Sequence, residues 1–353
     1  MPTLYLAPLE GITTYVYRNA LEKHYCGVDK YFTPFLTASH LKGREKRDVH
    51  PDNNQGMKVV PQILTNDAEL FVTISKQLAE LGYREVNLNL GCPSGTVVSK
   101  GRGAGFLDRT KELDSFLYYI YDKLSGDGET AAMEISVKTR IGVEFESEWD
   151  DILDIYKKYP ISELIIHPRL RNDFYDGEVR LEAYKKAKVL FETLSKEASF
   201  GTKLCYNGDI VDTESFERIS SYIENSVDGE KAGGENTIPY MIGRGVIANP
   251  ELPTLLRRYS ENESNESCGV KGDTEGCTDD YSIDRKRLRA FLADIVEGYK
   301  AEMSNEKQVV MKMKELWTYL AKGLVLDVKD IKAIHKTSRL DEYKSVEQMI
   351  LLR

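Results

Sequence analysis

The run Glu85-Val86-Asn87-Leu88-Asn89-Leu90-Gly91-Cys92-Pro93, followed shortly by Gly103-Ala104, decides how the rest of the chain is read. Val86, Leu88 and Leu90 alternate with Asn87 and Asn89, which predicts a strand with two amides on one face. A buried amide is costly unless something bonds it, so that face points to a polar interior. Gly91 and Pro93 end the strand sharply and leave Cys92 on the turn beyond it. A thiol displayed at a strand's carboxyl end beside paired amides suits a reaction centre. The plainer alternative is a small buried hydrophobe, which describes most lone cysteines.

Outward from this strand the pattern repeats. Short apolar strands are expected to begin at Leu4, Lys30, Lys58, Glu85, Glu134, Glu163, Lys203 and Tyr240. Helical stretches lie between most of them, at Asp67–Leu81, Lys111–Leu124, Trp149–Tyr159, Leu181–Lys196 and Thr213–Ile223. Strands joined by helices pair in parallel, and eight such units close into a (β/α)₈ TIM barrel of the α/β class. A doubly wound open sheet competes, but no Gly-x-Gly-x-x-Gly follows the first strand. Gly126–Thr130 and Ser226–Thr237 read as polar surface excursions. After Arg258 the composition turns to Ser, Asn, Glu, Asp and Gly, which predicts a polar linker over 259–284 between the barrel, 1–258, and a small all-helical domain, 285–353. In that domain Leu288, Phe291, Leu292, Ile295 and Tyr299 form one apolar stripe, and Met311, Leu316, Tyr319 and Leu320 are expected to continue it. So small a domain holds little core alone and should lean on the barrel.

The carboxyl ends of barrel strands carry the active site in this fold. Here those ends are expected to present Glu10, Gln62, Asn89, Lys138, His167, Asn207 and Arg244. In the strand at Glu134, Ile135 and Val137 face the helices while Ser136 and Lys138 face the axis. A lysine turned into a barrel needs an anionic or electron-rich partner. Polar residues at nearly every strand end call for a sizeable polar ligand. Asn207-Gly208-Asp209 and Gly243-Arg244-Gly245 are glycine-bearing turns entering helices, and the loops after strands seven and eight commonly hold phosphate.

Composition narrows the class further. Over 353 residues, 41% hydrophobic content supports a real core. No apolar run approaches membrane-spanning length, so no membrane role is expected. The chain enters an apolar strand directly, without a basic leader, and its five scattered cysteines suit a reducing compartment, so a cytoplasmic protein is expected. Cys26 and Cys205 read as core residues; Cys268 and Cys277 share a polar loop without nearby histidines, so no metal site is expected. The formal charge of −9 is uneven: residues 285–353 carry 15 Lys/Arg against 10 Asp/Glu, a balance of +5 that leaves −14 on the rest. A basic tail on an acidic body fits a polyanionic partner, or simply a solvated helical surface.

These motifs together resemble the tRNA-dihydrouridine synthases, a flavin-dependent family. Ala7-Pro8-Leu9-Glu10-Gly11 is similar to the family's opening Ala-Pro-Met-x-Gly, with leucine for methionine. Asn87 to Ala104 resembles the family signature throughout. Val137-Lys138-Thr139-Arg140, His167-Pro168-Arg169, Asn207-Gly208-Asp209-Ile210 and Gly243-Arg244-Gly245 follow in the family's order. The resemblance implies reduction of a uridine in tRNA by FMN that NADPH reloads. By matched position it implies Pro8, Leu9, Glu10, Gln62, Lys138, His167, Asn207, Gly208, Asp209, Gly243 and Arg244 as the FMN site. Lys138 would meet the ring system, Arg244 the phosphate and Asn89 the uracil or flavin edge. Cys92 would be the proton donor. Lys100, Arg102, Arg169 and Arg171, on expected mouth loops, are candidates for tRNA phosphates, with the helical domain holding the tRNA body and no obligate protein partner implied. Three other readings compete: an FMN barrel enzyme acting on a free pyrimidine, as dihydroorotate dehydrogenase does; a flavin-free RNA-binding barrel; and a phosphosugar enzyme. The basic helical domain counts against the first, intact Cys92, Lys138, His167 and Arg244 against the second, and the Gly-Cys-Pro turn against the third.

Overall fold

The computed structural model describes residues 1–126, 128, 130–197, 201–224, 238–267 and 283–352. Its strands are β1 (Leu4–Leu6), β2 (Lys30–Phe32), β3 (Val59–Val60), β4 (Gln62–Ile63), β5 (Glu85–Leu90), β6 (Glu134–Arg140), β7 (Glu163–His167), β8 (Lys203–Asn207) and β9 (Tyr240–Ile242). All pair in parallel, in the order β3-β2-β1-β9-β8-β7-β6-β5-β4. The eight expected strands become nine because Pro61, which has no N–H to give, splits the third. β3 pairs with β2 and β4 with β5, so this one stretch joins both ends of the sheet. The Asn87 N–H donates to the Pro61 carbonyl at 2.9 Å across the seam. The chain is a TIM barrel.

Among the described residues ten α-helices belong to the barrel: α1 (Tyr15–His24), α2 (Gly43–Val49), α3 (Ala68–Glu80), α4 (Gly95–Val98), α5 (Thr110–Ser125), α6 (Glu148–Tyr156), α7 (Leu181–Glu197), α8 (Thr213–Glu224), α9 (Arg244–Ala248) and α10 (Leu252–Ser267). Val86, Leu88, Leu90, Ile135 and Val137 face this helical ring in the main core. The opposite strand faces form a separate apolar plug inside the barrel, from Tyr5, Ala7, Phe32, Val60, Ile165, Cys205 and Met241. Below the plug, at the amino ends of the strands, Lys30 Nζ reaches Glu85 at 2.8 Å and Glu163 at 2.7 Å, and Tyr5 donates its hydroxyl to Glu163. Above it, register sets Asn87 opposite Ser136 and Asn89 opposite Lys138.

The tail folds as α11 (Arg285–Glu302), α12 (Glu306–Gly323), α13 (Val328–Lys336) and α14 (Leu340–Leu351). It leans on the barrel as its size requires: Phe291 sits edge-on to Tyr17 and Tyr25 of the α1 region. At Gly323 the end of α12 lies so close to α9 that an added Cβ would fall 2.0 Å from the Ala248 carbonyl oxygen.

Three expectations change. The helix α10 continues past Arg258 to Ser267, because extending an existing helix needs no new nucleation, so the start of the segment expected as linker is helical. Residues 268–282, with Cys268 and Cys277, and the excursion at 226–237 lie outside the described residues. Cys26 is not core: it is exposed just beyond α1 at φ 52°, its N–H closing the helix end on Leu21. In α12 the buried stripe is Val309, Val310, Met313, Leu316, Trp317 and Leu320, while Met311 is exposed and Tyr319 is turned toward the barrel mouth.

Candidate active site at the barrel mouth

The mouth opens into a cavity of about 500 Å³, a size suited to a small-molecule ligand. Pro8, Leu9, Glu10, Gln62, Lys138, His167, Asn207, Gly208, Asp209, Gly243 and Arg244 all line it, as do Asn89 and Cys92. Parallel pairing brings these residues, spread over most of the chain, to one end of the sheet.

The two asparagines of β5 belong to a relay of amides. Asn89 Nδ2 donates to Gln62 Oε1 at 2.7 Å, Gln62 Nε2 to Asn87 Oδ1 at 2.8 Å, and Asn87 Nδ2 to Ser136 Oγ at 3.0 Å. The Asn89 side-chain oxygen is left for the turn, where it accepts the N–H groups of Gly91 at 3.1 Å and Cys92 at 3.0 Å. Asn89 therefore aims the Cys92 turn. Arg140 holds the same turn from the next strand: buried at 1% exposure, it donates Nε to the Gly91 carbonyl at 3.0 Å and its other nitrogens to those of Leu170 and Phe174. The third support is Gly103, at φ +57°, where an added Cβ would lie 2.8 Å from the Cys92 carbonyl oxygen. Its neighbour Ala104 donates its N–H to that oxygen at 3.0 Å. This explains the spacing of the Gly-Cys-Pro and Gly-Ala pairs. Burial pushes the half-buried Cys92 thiol above its ordinary range, although the Ser94 N–H, Arg140 and Lys138 pull the other way. The thiol stays protonated at neutral pH.

The Lys138 ammonium has no hydrogen-bond or ion-pair partner among the described residues. Burial, and secondarily the Arg140 guanidinium, push it down to about 8. His167 is pushed well below its ordinary range, first by burial and then by Arg140, Lys138, Arg169 and Arg244, so it is neutral. Asp209, in left-handed backbone at φ 35°, takes Arg169 on both carboxylate oxygens and Arg244 at 3.1 Å. Glu10 pairs with Arg44 of α2 at 2.6 Å.

The four expected phosphate contacts do not share one fate. Arg169 is buried at 2% exposure, its guanidinium consumed by Asp209 and the Gly177 carbonyl. It faces inward and supports Asp209. Lys100 is exposed, Arg102 is half-buried and donates to Asn66 at 3.3 Å, and Arg171 lies over the Phe174 ring at 5.2 Å. None of the four lines the cavity.

Sequence reasoning missed three contributors. Tyr175 lines the cavity, stacks on His167, and lies between Arg140 and Arg244, whose guanidiniums are 5.4 and 4.9 Å from its ring. The only available signal was an aromatic pair, Phe174-Tyr175, in an otherwise charged loop. Tyr319 and Lys322 reach the cavity from α12, a placement that tertiary docking alone decides. Among the described residues no group of three His, Cys, Asp or Glu side chains is placed to hold a metal, and no helix is long and apolar enough to cross a membrane.

A parallel barrel with a polar cavity at its mouth and a pinned, protonated thiol beside it is the frame of a barrel enzyme. The family description "Dihydrouridine synthase (Dus)" matches residues 5–321, and the chain belongs to that family. It is 28% identical over 320 residues to a probable tRNA-dihydrouridine synthase of Staphylococcus epidermidis, covering 88% of this chain and 89% of that one. A probable tRNA-dihydrouridine synthase 2 of Bacillus subtilis is 27% identical over 323 residues, covering 86% and 89%. Among solved structures, the N-acetylneuraminate lyase from Mycoplasma synoviae overlays at a TM-score of 0.43 and 12% identity, covering 90% of this chain and 98% of that one, a likeness too loose to carry an argument.

Proposed function

We propose that this protein reduces a specific uridine of tRNA to 5,6-dihydrouridine, with Cys92 as the proton donor. The observation that carries the reading is the Cys92 thiol, kept protonated and held on the cavity wall by Asn89, Arg140 and Gly103. The cavity suits FMN on a separate ground: Lys138 is a half-buried cation without a carboxylate, and a cation so placed is stabilised by an electron-rich ring system. Gln62, Lys138 and His167 would hold that ring, and Asn207, Gly208, Asp209, Gly243 and Arg244 the phosphate end, with Pro8, Leu9 and Glu10 along the wall. When bound, FMN supplies the hydride that uracil C6 receives, and NADPH restores it.

The protein's own part is positional and acid–base. A stacked uridine must leave the stack to reach the cavity. Lys100, Arg102 and Arg171, with the basic helical domain, would hold the surrounding phosphates. As C6 is reduced, negative charge builds at C5 and the adjoining carbonyl, and the Cys92 thiol gives its proton to C5. Arg140 and Lys138, both of which favour the thiolate, stabilise the sulfur left behind, and half-exposed Cys92 regains its proton from water. The same reading makes the protein cytoplasmic, with no obligate protein partner.

The test is mass-spectrometric mapping of dihydrouridine in tRNA from cells lacking the protein, complemented with the wild type or with Cys92→Ala. Wild type should restore one position. Cys92→Ala should bind tRNA and slow the reduction by about 10²- to 10⁴-fold, the usual contribution of a positioned acid. Restoration by Cys92→Ala at the wild-type rate would remove the acid from the scheme.

A further inference from the structure

A second cavity, of about 710 Å³, lies beside the first, between the start of α8, the α9–α10 turn and the end of α12. Val211, Arg244, Tyr319 and Lys322 belong to the walls of both, so the two cavities meet along that ridge. Beyond the ridge the wall is apolar at Leu252 and Leu255 and acidic at Asp212 and Glu214. Arg244 is already engaged by Asp209. Lys322 is exposed at the end of α12, and its ammonium has no ion-pair or hydrogen-bond partner among the described residues.

An aromatic ring, an apolar wall, a free ammonium and carboxylate acceptors are the complement of a nucleotide. The ring and wall take the face of a base, the ammonium a phosphate, and the carboxylates the amino groups of a base edge or the hydroxyls of a ribose. We propose that this second cavity takes the nucleotide adjoining the reduced uridine in the RNA strand, which rests on the first cavity being the uridine site. Continuity supports that occupant: once one base is drawn into the mouth, its neighbour is a single phosphodiester away, and the ridge carrying Lys322 and Tyr319 lies between the two chambers. The acidic wall favours a neighbouring base with an exocyclic amino group, so the cavity contributes to the choice of uridine.

The experiment uses the flavin-loaded enzyme and an unmodified tRNA transcript. Leu255→Trp fills the second cavity from a residue that does not line the first. It should raise KM for tRNA about tenfold, the scale of one lost base stack, and leave kcat and the KM for NADPH unchanged. Lys322→Ala should flatten the logarithmic salt dependence of tRNA binding by about 0.7 to 0.9, the contribution of one phosphate contact. Flavin content and melting temperature identify a variant that has failed to fold; if Leu255→Trp does so, Lys322→Ala decides. Unmoved tRNA KM and salt slope would overturn the proposal, and so would a rise in the KM for NADPH alone, which would give the cavity to the reductant. A wild-type enzyme that forms no dihydrouridine overturns both this inference and the reading beneath it. A working enzyme with unmoved variants overturns this one only.

Discussion

Two lysines stand at opposite ends of one barrel, and their surroundings differ in kind. Lys30, at the floor, is held between Glu85 and Glu163. The Lys138 ammonium, at the mouth, has neither carboxylate nor carbonyl as partner among the described residues. Burial alone would lower both. At the floor Glu163 and Glu85 outweigh burial and raise Lys30, whereas at the mouth Arg140 adds to burial and Lys138 falls to about 8. The floor has satisfied itself and is structure. The mouth keeps a cation that no carboxylate of the chain offsets, and that difference separates a plug from a site.

The largest expected effect that would break this contrast is on stability. Lys30→Met leaves buried Glu163 and partly buried Glu85 without their shared cation and should destabilise the fold by about 3–5 kcal/mol, the usual result of removing one partner from a buried pair. Lys138→Met removes a half-buried charge that has no partner in the chain and should change stability by less than about 1 kcal/mol, or increase it. Denaturant unfolding of both variants checks the pair, and equal losses would erase the distinction.

The two ends should also respond to pH with opposite sign. Lys138 has a folded value below its unfolded one, so the unfolded chain binds more protons between about pH 8 and 10.5, and stability from this group rises across that window. The wild type should gain up to about 3 kcal/mol on Lys138→Met over that range, at roughly 1.4 kcal/mol for each pH unit crossed. Lys30 is raised, so its contribution is complete below about pH 10.4 and is lost as pH rises through its folded value. A difference that stayed flat from pH 8 to 10 would show Lys138 to be solvated.

A smaller effect sharpens the contrast at the mouth itself. Gly103→Ala forces left-handed backbone on a residue with a Cβ and presses it on Cys92, so a loss of about 1–3 kcal/mol is expected. The alkylation rate of Cys92 should change with it, because the turn that aims the thiol must shift. An unaltered rate would detach Gly103 from that turn.

What could be read in the chain follows the same division. The alternation of Val86, Leu88 and Leu90 with Asn87 and Asn89 is a period-two signal that survives folding, and the strand and its inward amides are legible from it, as the inward Lys138 is from Ile135 and Val137 of β6. Strand ends in a parallel barrel converge by topology, so the cavity wall follows from the strands. Directions beyond a strand end do not. Arg169 lies two residues past His167 on a loop that folds back to Asp209, and nothing in the local pattern marks it as buried. Asn89 reads as a ligand group, yet the turn two residues on takes its oxygen. Tyr319 reads as one more apolar step of a helical stripe, and only the docking of α12 on α9 turns it to the mouth.

The most direct measurement is the visible absorption spectrum of the purified protein beside that of Lys138→Met. If Lys138 serves an electron-rich ring, the wild type carries a flavin band, and the variant, folded and equally stable, loses it. A colourless wild type that takes up no added FMN, or a Lys138→Met protein that retains its full load, would contradict the view that the charge at the mouth of this barrel is there for a bound ring.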